Sequence, residues 1–188
     1  MSELMLDVGQ ANELKMAFRR ADYSNDEIKQ LCEGNILADV RRVLHNHAAI
    51  TAVEHIIDCD ADPFVPNGWK VEEHQKGGQF KFDAAQMRFF LAEGQQNGKV
   101  LEGNKLRSEL AGKPVLNANV LDYLLAHPHL IPEEWKGKAI FFWGTIYRSS
   151  DDNLHVRCLC WDGGGWDWCD GWLVCDWYVN FPAALRAS

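Results

Sequence analysis

Five tryptophans fall within twenty residues near the end of the chain, CLCWDGGGWDWCDGWLVCDW at 158–177. Four cysteines, four aspartates and four glycines fill most of the space between them. Each indole covers roughly 150–250 Å² when packed, so the rings either fill the core of a β-domain or form an exposed aromatic platform. Trp166 and Trp168 alternate as residues on one face of a strand do. Wide spacing of the others along a meander favours core packing for most of them.

The flanking sequence predicts the same class. AIFFWGTIY (139–147) is β-branched and aromatic, as strands are, and it contains Trp143. SSDDN (149–153) is a turn cluster across which LHVRCLCW (154–161) pairs back. Gly163–Gly165 supplies the next reversal, Gly171 is expected to break the following strand, and 172–177 to give a fourth.

Earlier in the chain the period is helical. Ala11–Ala21 carries Leu14, Ala17, Phe18 and Ala21 on one stripe. Ser24 with Glu27 is a capping box for a helix ending at Gly34. Asn35 is placed to cap a third helix with Leu37, Val40, Val43 and Leu44 inward. HIIDCDADPFVPNG (55–68) reads as extended or looped. Trp69–Val71 and Phe80–Phe82 flank Gly77–Gly78 as a hairpin would. Asp83 with Gln86 predicts a helix through Met87, Phe90 and Leu91 that stops at Gly94, and two further helices fit 104–111 and 117–126. The expected fold is therefore α+β. It comprises a helical N-terminal region (1–54) and an α+β ligand-binding domain (55–188) whose last part is an antiparallel β-domain.

Charge and motifs exclude several functions. A formal net charge of −8 opposes nucleic-acid binding, which needs a basic face. The opening MSELMLDVGQ has no apolar leader core and no window reaches membrane-span length, so a cytoplasmic protein with reduced cysteines is expected. Asp58, Asp60 and Asp62 open like a calcium loop, but Pro63 and Trp69 stand where glycine and glutamate are needed. Cys158, Cys160, Cys169 and Cys175 match a zinc site in number but lack its usual C-x₂-C knuckle. His45 and His47, like His127 and His129, read as surface or turn histidines. No hydrolase, metalloprotease, P-loop or dinucleotide motif occurs. Neither an enzyme nor a cofactor is expected.

After Lys138 the chain contains no Lys, Glu, Gln or Met over fifty residues. An Asn codon whose two adenines are replaced by any base can reach neither these four residue types nor Trp. The positions between the tryptophans hold only reachable types: Asp162, Gly163, Gly164, Gly165, Asp167, Cys169, Asp170, Gly171, Val174, Cys175, Asp176, Tyr178, Val179 and Asn180, preceded by Cys158 and Cys160. Trp161, Trp166, Trp168, Trp172 and Trp177, with Trp143, then read as fixed scaffold.

With its tryptophan spacing and its NFPAALRAS tail, the stretch from about residue 80 resembles the variable proteins of diversity-generating retroelements of the candidate-phylum bacterial type. The resemblance implies a fold that is often C-type-lectin-like and a hypervariable segment of about 154–181. It also implies binding of a protein or glycan ligand by that surface, with diversity supplied by an adenine-mutating reverse transcriptase. Two other readings of the residues stand beside it. One is a fixed carbohydrate- or peptide-binding module, which needs at least two coplanar, solvent-facing indoles. The other is a zinc-binding protein or metal-dependent enzyme built on the tail cysteines.

Overall fold

The structure is a computed structural model that describes residues 5–187; the first four residues of the stretch read for a leader, and Ser188, lie outside it. The chain divides into two units, Met1–Val53 and Glu54–Ser188.

The first unit holds α1 (Val8–Arg20), α2 (Asn25–Cys32) and α3 (Ile36–Leu44). Ser24 and Glu27 form the expected capping box, and Asp7 with Gln10 forms another at the head of α1. Asn35 stands at the N-cap of α3 but makes no side-chain bond to it. The inward stripe expected on α3 is corrected. Leu37 and Leu44 are exposed by 55% and 77%, and no residue of the three helices is buried.

The second unit is built on a seven-stranded mixed sheet. The strands of the unit are β1 (Ile56–Asp58), β2 (Lys70–His74), β3 (Gln79–Lys81), β4 (Met87–Phe90), β5 (Leu101–Glu102), β6 (Ile140–Phe141), β7 (Thr145–Arg148), β8 (Leu154–Trp161), β9 (Trp166–Trp172), β10 (Asp176–Trp177) and β11 (Ala183–Arg186). β1 with β3 and β5 with β10 form two separate two-stranded pairs, and the other seven make up the sheet. Helices α4 (Gly103–Leu110) and α5 (Ala118–Ala126) precede β6. β6 and β7 lie end to end along one edge of β8, interrupted at Phe142–Gly144, and β9 runs antiparallel along the other. β2 and β11 flank β7 and β6, and β4 closes the far side. All these pairs are antiparallel except β6–β11. The α+β class holds, with one parallel pair in the sheet.

Strand alternation divides the interior in two. Ile140, Phe142 and Leu159 face α5 with Val120, Leu121 and Leu124. Phe141, Trp143, Val156 and Cys158 face the other way and pack with Leu106 and Leu110 of α4. The turn at 149–153 joins β7 to β8 as expected.

Three local expectations are corrected. The hairpin around Gly77–Gly78 does not form: β2 pairs with β7 and β3 with β1, because Val71 and Phe80 find their apolar partners in the sheet and in the α5 core. The Asp83 side chain caps only a single 3₁₀ turn, Ala84–Gln86, and Met87–Phe90 continues as β4 against β11. Gly171 does not break β9, which runs on to Trp172 with Gly171 opposite Val156, and the last predicted strand shortens to β10, paired with β5.

Among the described residues no helix is long and apolar enough to cross a membrane.

Candidate functional site

The tryptophans separate into three environments. Trp143 and Trp177 are 3% and 1% exposed and lie 4.7 Å apart by ring centroid, with Phe141 4.2 Å from Trp177. Trp161, Trp166 and Trp168 are half-buried on the α5 face of the sheet. Trp172 is 45% exposed, which corrects its assignment to a locked frame. It ends the outermost strand, where the chain turns back through a bond from the Cys175 N–H to its carbonyl.

Trp168 owes its position to a buried cation. Arg157, 1% exposed, directs its guanidinium to Asp122 through bonds of 2.8 and 3.2 Å. Its guanidinium carbon lies 4.6 Å from the Trp168 ring centroid and 5.0 Å from that of Phe64. A charge taken from water needs such partners on every side. Trp161 and Trp166 meet edge to face at 5.4 Å and 70°, with Lys136 3.7 Å over Trp161. That geometry is not the coplanar, solvent-facing pair a sugar platform needs.

On the opposite face an open cleft of about 460 Å³ follows β9. Phe141, Trp177 and Phe181 form its apolar floor, Cys169 and Cys175 line its sides, and Trp172, whose ring meets that of His155 at 5.4 Å, borders it at the end of β9. Among its lining residues Asp170 and Asp176 are charged, and Asp170 turns its carboxylate away to the other face of β9. Asp170 accepts from the buried His155 ring at 2.7 Å, and His155 reaches Ser149 at 3.0 Å on its other nitrogen.

Most positions expected on the variable surface face outward. Asp162, Asp167, Val174, Cys175, Asp176, Tyr178, Val179 and Asn180 are exposed. Asp162 closes the Gly163–Gly165 turn by accepting from the Gly164 and Gly165 N–H groups, which hold its carboxyl below the usual range. Gly163 has φ +96°, so a side chain there is strained, while Gly164 and Gly165 are free of that limit.

Two positions are corrected. Cys158 is fully buried in the second core and forms no part of the outer surface. Gly171 has no room for a side chain, since a Cβ would stand 2.9 Å from the Trp177 ring and 3.0 Å from Phe141. Both lie on the face that packs under the sheet, where alternation sends every second residue.

Cys158 and Cys169 are directly opposite across β8 and β9, with Cys160 two places along on the same face. The neighbouring Cys158 and Cys169 thiols draw the Cys160 thiol below the usual range, against the opposing pull of burial and of Asp167 and Asp162, while its own S–H donates to the Asp167 carbonyl at 3.5 Å. Cys158 moves the other way because burial penalises its thiolate. Six free cysteines occur, and no three or more His, Cys, Asp or Glu residues are arranged to hold a metal ion among the described residues.

Two features had no sequence signal. Phe141 and Phe181 reach the cleft floor only through long-range pairing of β6 and the approach to β11. His127 and His129 gather around His55, with ring centroids 5.9 and 6.1 Å from it, and His55 bonds the Tyr123 hydroxyl at 2.9 Å. The Asp58 and Asp60 carboxylates serve turns: Asp58 accepts from Asp60 N–H and Asp60 from Gly78 N–H.

Comparison with protein families, with curated proteins and with solved structures finds no match to this chain.

Proposed function

We propose that the protein is a non-enzymatic ligand-binding protein whose C-terminal surface, about 154–181, is diversified by a retroelement on a fixed tryptophan frame, in a C-type-lectin-like setting. Its ligand is a protein or glycan rather than a nucleic acid, and its site of action is cytoplasmic. The observation carrying this reading is the division of labour within one segment. Trp177 and Trp143 are sealed in the core, while the short residues between the indoles surround an open apolar cleft. A surface that must accept arbitrary replacement cannot also supply the core, and this segment keeps the two apart at most positions.

Sequencing the gene and its neighbourhood tests the reading. A near-identical repeat of the 154–181 coding stretch, with adenines at the codons for Asp162, Asp167, Val174, Cys175 and Asp176, is expected beside a reverse transcriptase gene. A locus with no such repeat removes the mechanism. Gly171 and Cys158 are expected to be invariant in the repeat or restricted to small residues.

A further inference from the structure

We propose that the cleft beside β9 binds a polypeptide segment that presents an apolar side chain flanked by Lys or Arg, and that this segment pairs with the open edge of β9. The inference rests on the binding part of the reading above and adds the class of ligand.

The size and lining of the cleft come first. About 460 Å³ is the volume of a site for one or two large side chains, and its floor of Phe141, Trp177 and Phe181 is apolar. Trp172 at the mouth is 45% exposed, and Val174, Tyr178 and Val179 beyond it are 62%, 46% and 57% exposed. Apolar surface of this kind around a concave floor marks a place where another surface is received.

Charge then selects the partner. No Lys or Arg occurs from residue 158 to residue 181, whereas Asp162, Asp167, Asp170 and Asp176 do. At the mouth, Asp176 of β10 lies directly opposite Glu102 of β5. Like charges directly opposite across a strand pair destabilise it. Neither carboxylate has a basic partner among the described residues; Glu102 accepts only from the Asn104 amide, at 2.8 Å. A cation brought by the ligand relieves that repulsion, and an anionic ligand would add to it.

The backbone selects polypeptide over glycan. β9 has one neighbouring strand, β8, among the described residues, and residues 166–171 make no main-chain bond to any other segment. The Trp168 N–H is instead taken up by the Asp167 carboxylate at 2.7 Å. A seven-residue strand with a free row of donors and acceptors is a template for strand addition, with alternate side chains of the incoming strand entering pockets on the adjacent face. Apart from Asp176 the cleft lining offers few polar side chains for the hydroxyl groups of a sugar, since Asp170 is engaged by His155.

The test uses the full chain and three synthetic peptides of about ten residues, long enough to span β9. One carries Leu and Phe flanked by Lys, the second has Glu in place of each Lys, and the third has Ser. Calorimetry and the indole N–H resonances of Trp172 and Trp177 report binding. The Lys peptide is expected to bind and to shift both resonances, with affinity falling as salt is raised, and the Glu peptide to bind at least about tenfold more weakly. Asp176→Lys is expected to abolish that preference, while Glu109→Lys on α4 leaves it unchanged. No binding of the Lys peptide at millimolar concentration, equal binding of Lys and Glu peptides, or a preference that survives Asp176→Lys overturns the proposal. So does a panel of neutral oligosaccharides that shifts the Trp172 resonance where the Lys peptide does not. Peptide failure in a chain whose gene carries the template repeat removes only the ligand class; peptide binding without the repeat removes only diversification.

Discussion

Gly171 and Trp177 are in such close contact that a Cβ on the glycine would stand 2.9 Å from two carbons of the indole. Gly103 meets the same ring from another side, where a Cβ would lie 2.4 Å from its nitrogen. Two backbones thus close on one indole, whose N–H also reaches the Trp172 carbonyl at 3.3 Å. Trp177→Ala is expected to destabilise the second unit by about 3–5 kcal/mol, the range for an emptied aromatic site. Gly171→Val is expected to cost about 1–3 kcal/mol by overpacking. Chemical denaturation followed by circular dichroism measures both.

Arg157 gives a second test of what holds the segment. Asp122→Ala leaves its guanidinium buried with only aromatic faces for company. A loss of about 2–4 kcal/mol is expected, below the full range for a broken buried pair because the carboxylate is 30% exposed. Trp168 fluorescence should redden in the same variant as its stacking partner shifts. Tryptophan-by-tryptophan replacement with phenylalanine assigns the signal.

Alkaline pH should weaken the fold. Burial pushes the Cys59 thiol up to about 11 and also raises the Tyr147 hydroxyl. A thiol that ionises later in the folded state than in the unfolded state adds stability that is complete below the unfolded value, near 9. That contribution is lost as pH rises through about 11. Denaturation midpoints should therefore fall from pH 9 upward, and Cys59→Ala should flatten the slope.

Cys160 carries the opposite sign. With its thiol drawn below the usual range by the neighbouring Cys158 and Cys169, its contribution is present above the unfolded value and lost as pH falls through the folded one. Labelling with iodoacetamide across a pH series, mapped by mass spectrometry, should modify Cys160 below the pH at which an ordinary thiol reacts. Cys169→Ala should move that labelling to higher pH, because one of the two neighbouring thiols that favour the thiolate is gone.

Sequence patterning was legible where the signal is local. The Ser24–Glu27 box, the positions of α4 and α5, and the β7–β8 connection over 149–153 all depend on residues a few places apart. It misled where partners are distant. Asp83 and Gln86 carry a helix signature, yet Met87–Phe90 is drawn into pairing with Ala183–Arg186, nearly a hundred positions along the chain. Gly171 reads as a strand breaker until Trp177 is seen to occupy the space its side chain would need. Within the candidate site, alternation correctly separated Asp167 from Trp166 and Trp168, but it says nothing about which face is covered. Cys158 therefore went into the core under α4, and Trp172, on the same face as Trp166 and Trp168 but at the end of the edge strand, stays 45% exposed.

The central claim is that the terminal segment combines a fixed frame with replaceable surface positions, and two libraries measured side by side test it. One randomises Asp162, Asp167, Val174, Asp176, Tyr178 and Val179; the other randomises Trp143, Gly171 and Trp177. The readout is the fraction of variants that remain folded by protease resistance. Most members of the first library are expected to stay folded, each surface replacement changing stability by about 0.5 kcal/mol, and few of the second to fold at all. Equal tolerance in the two libraries, or greater tolerance in the second, would contradict the account.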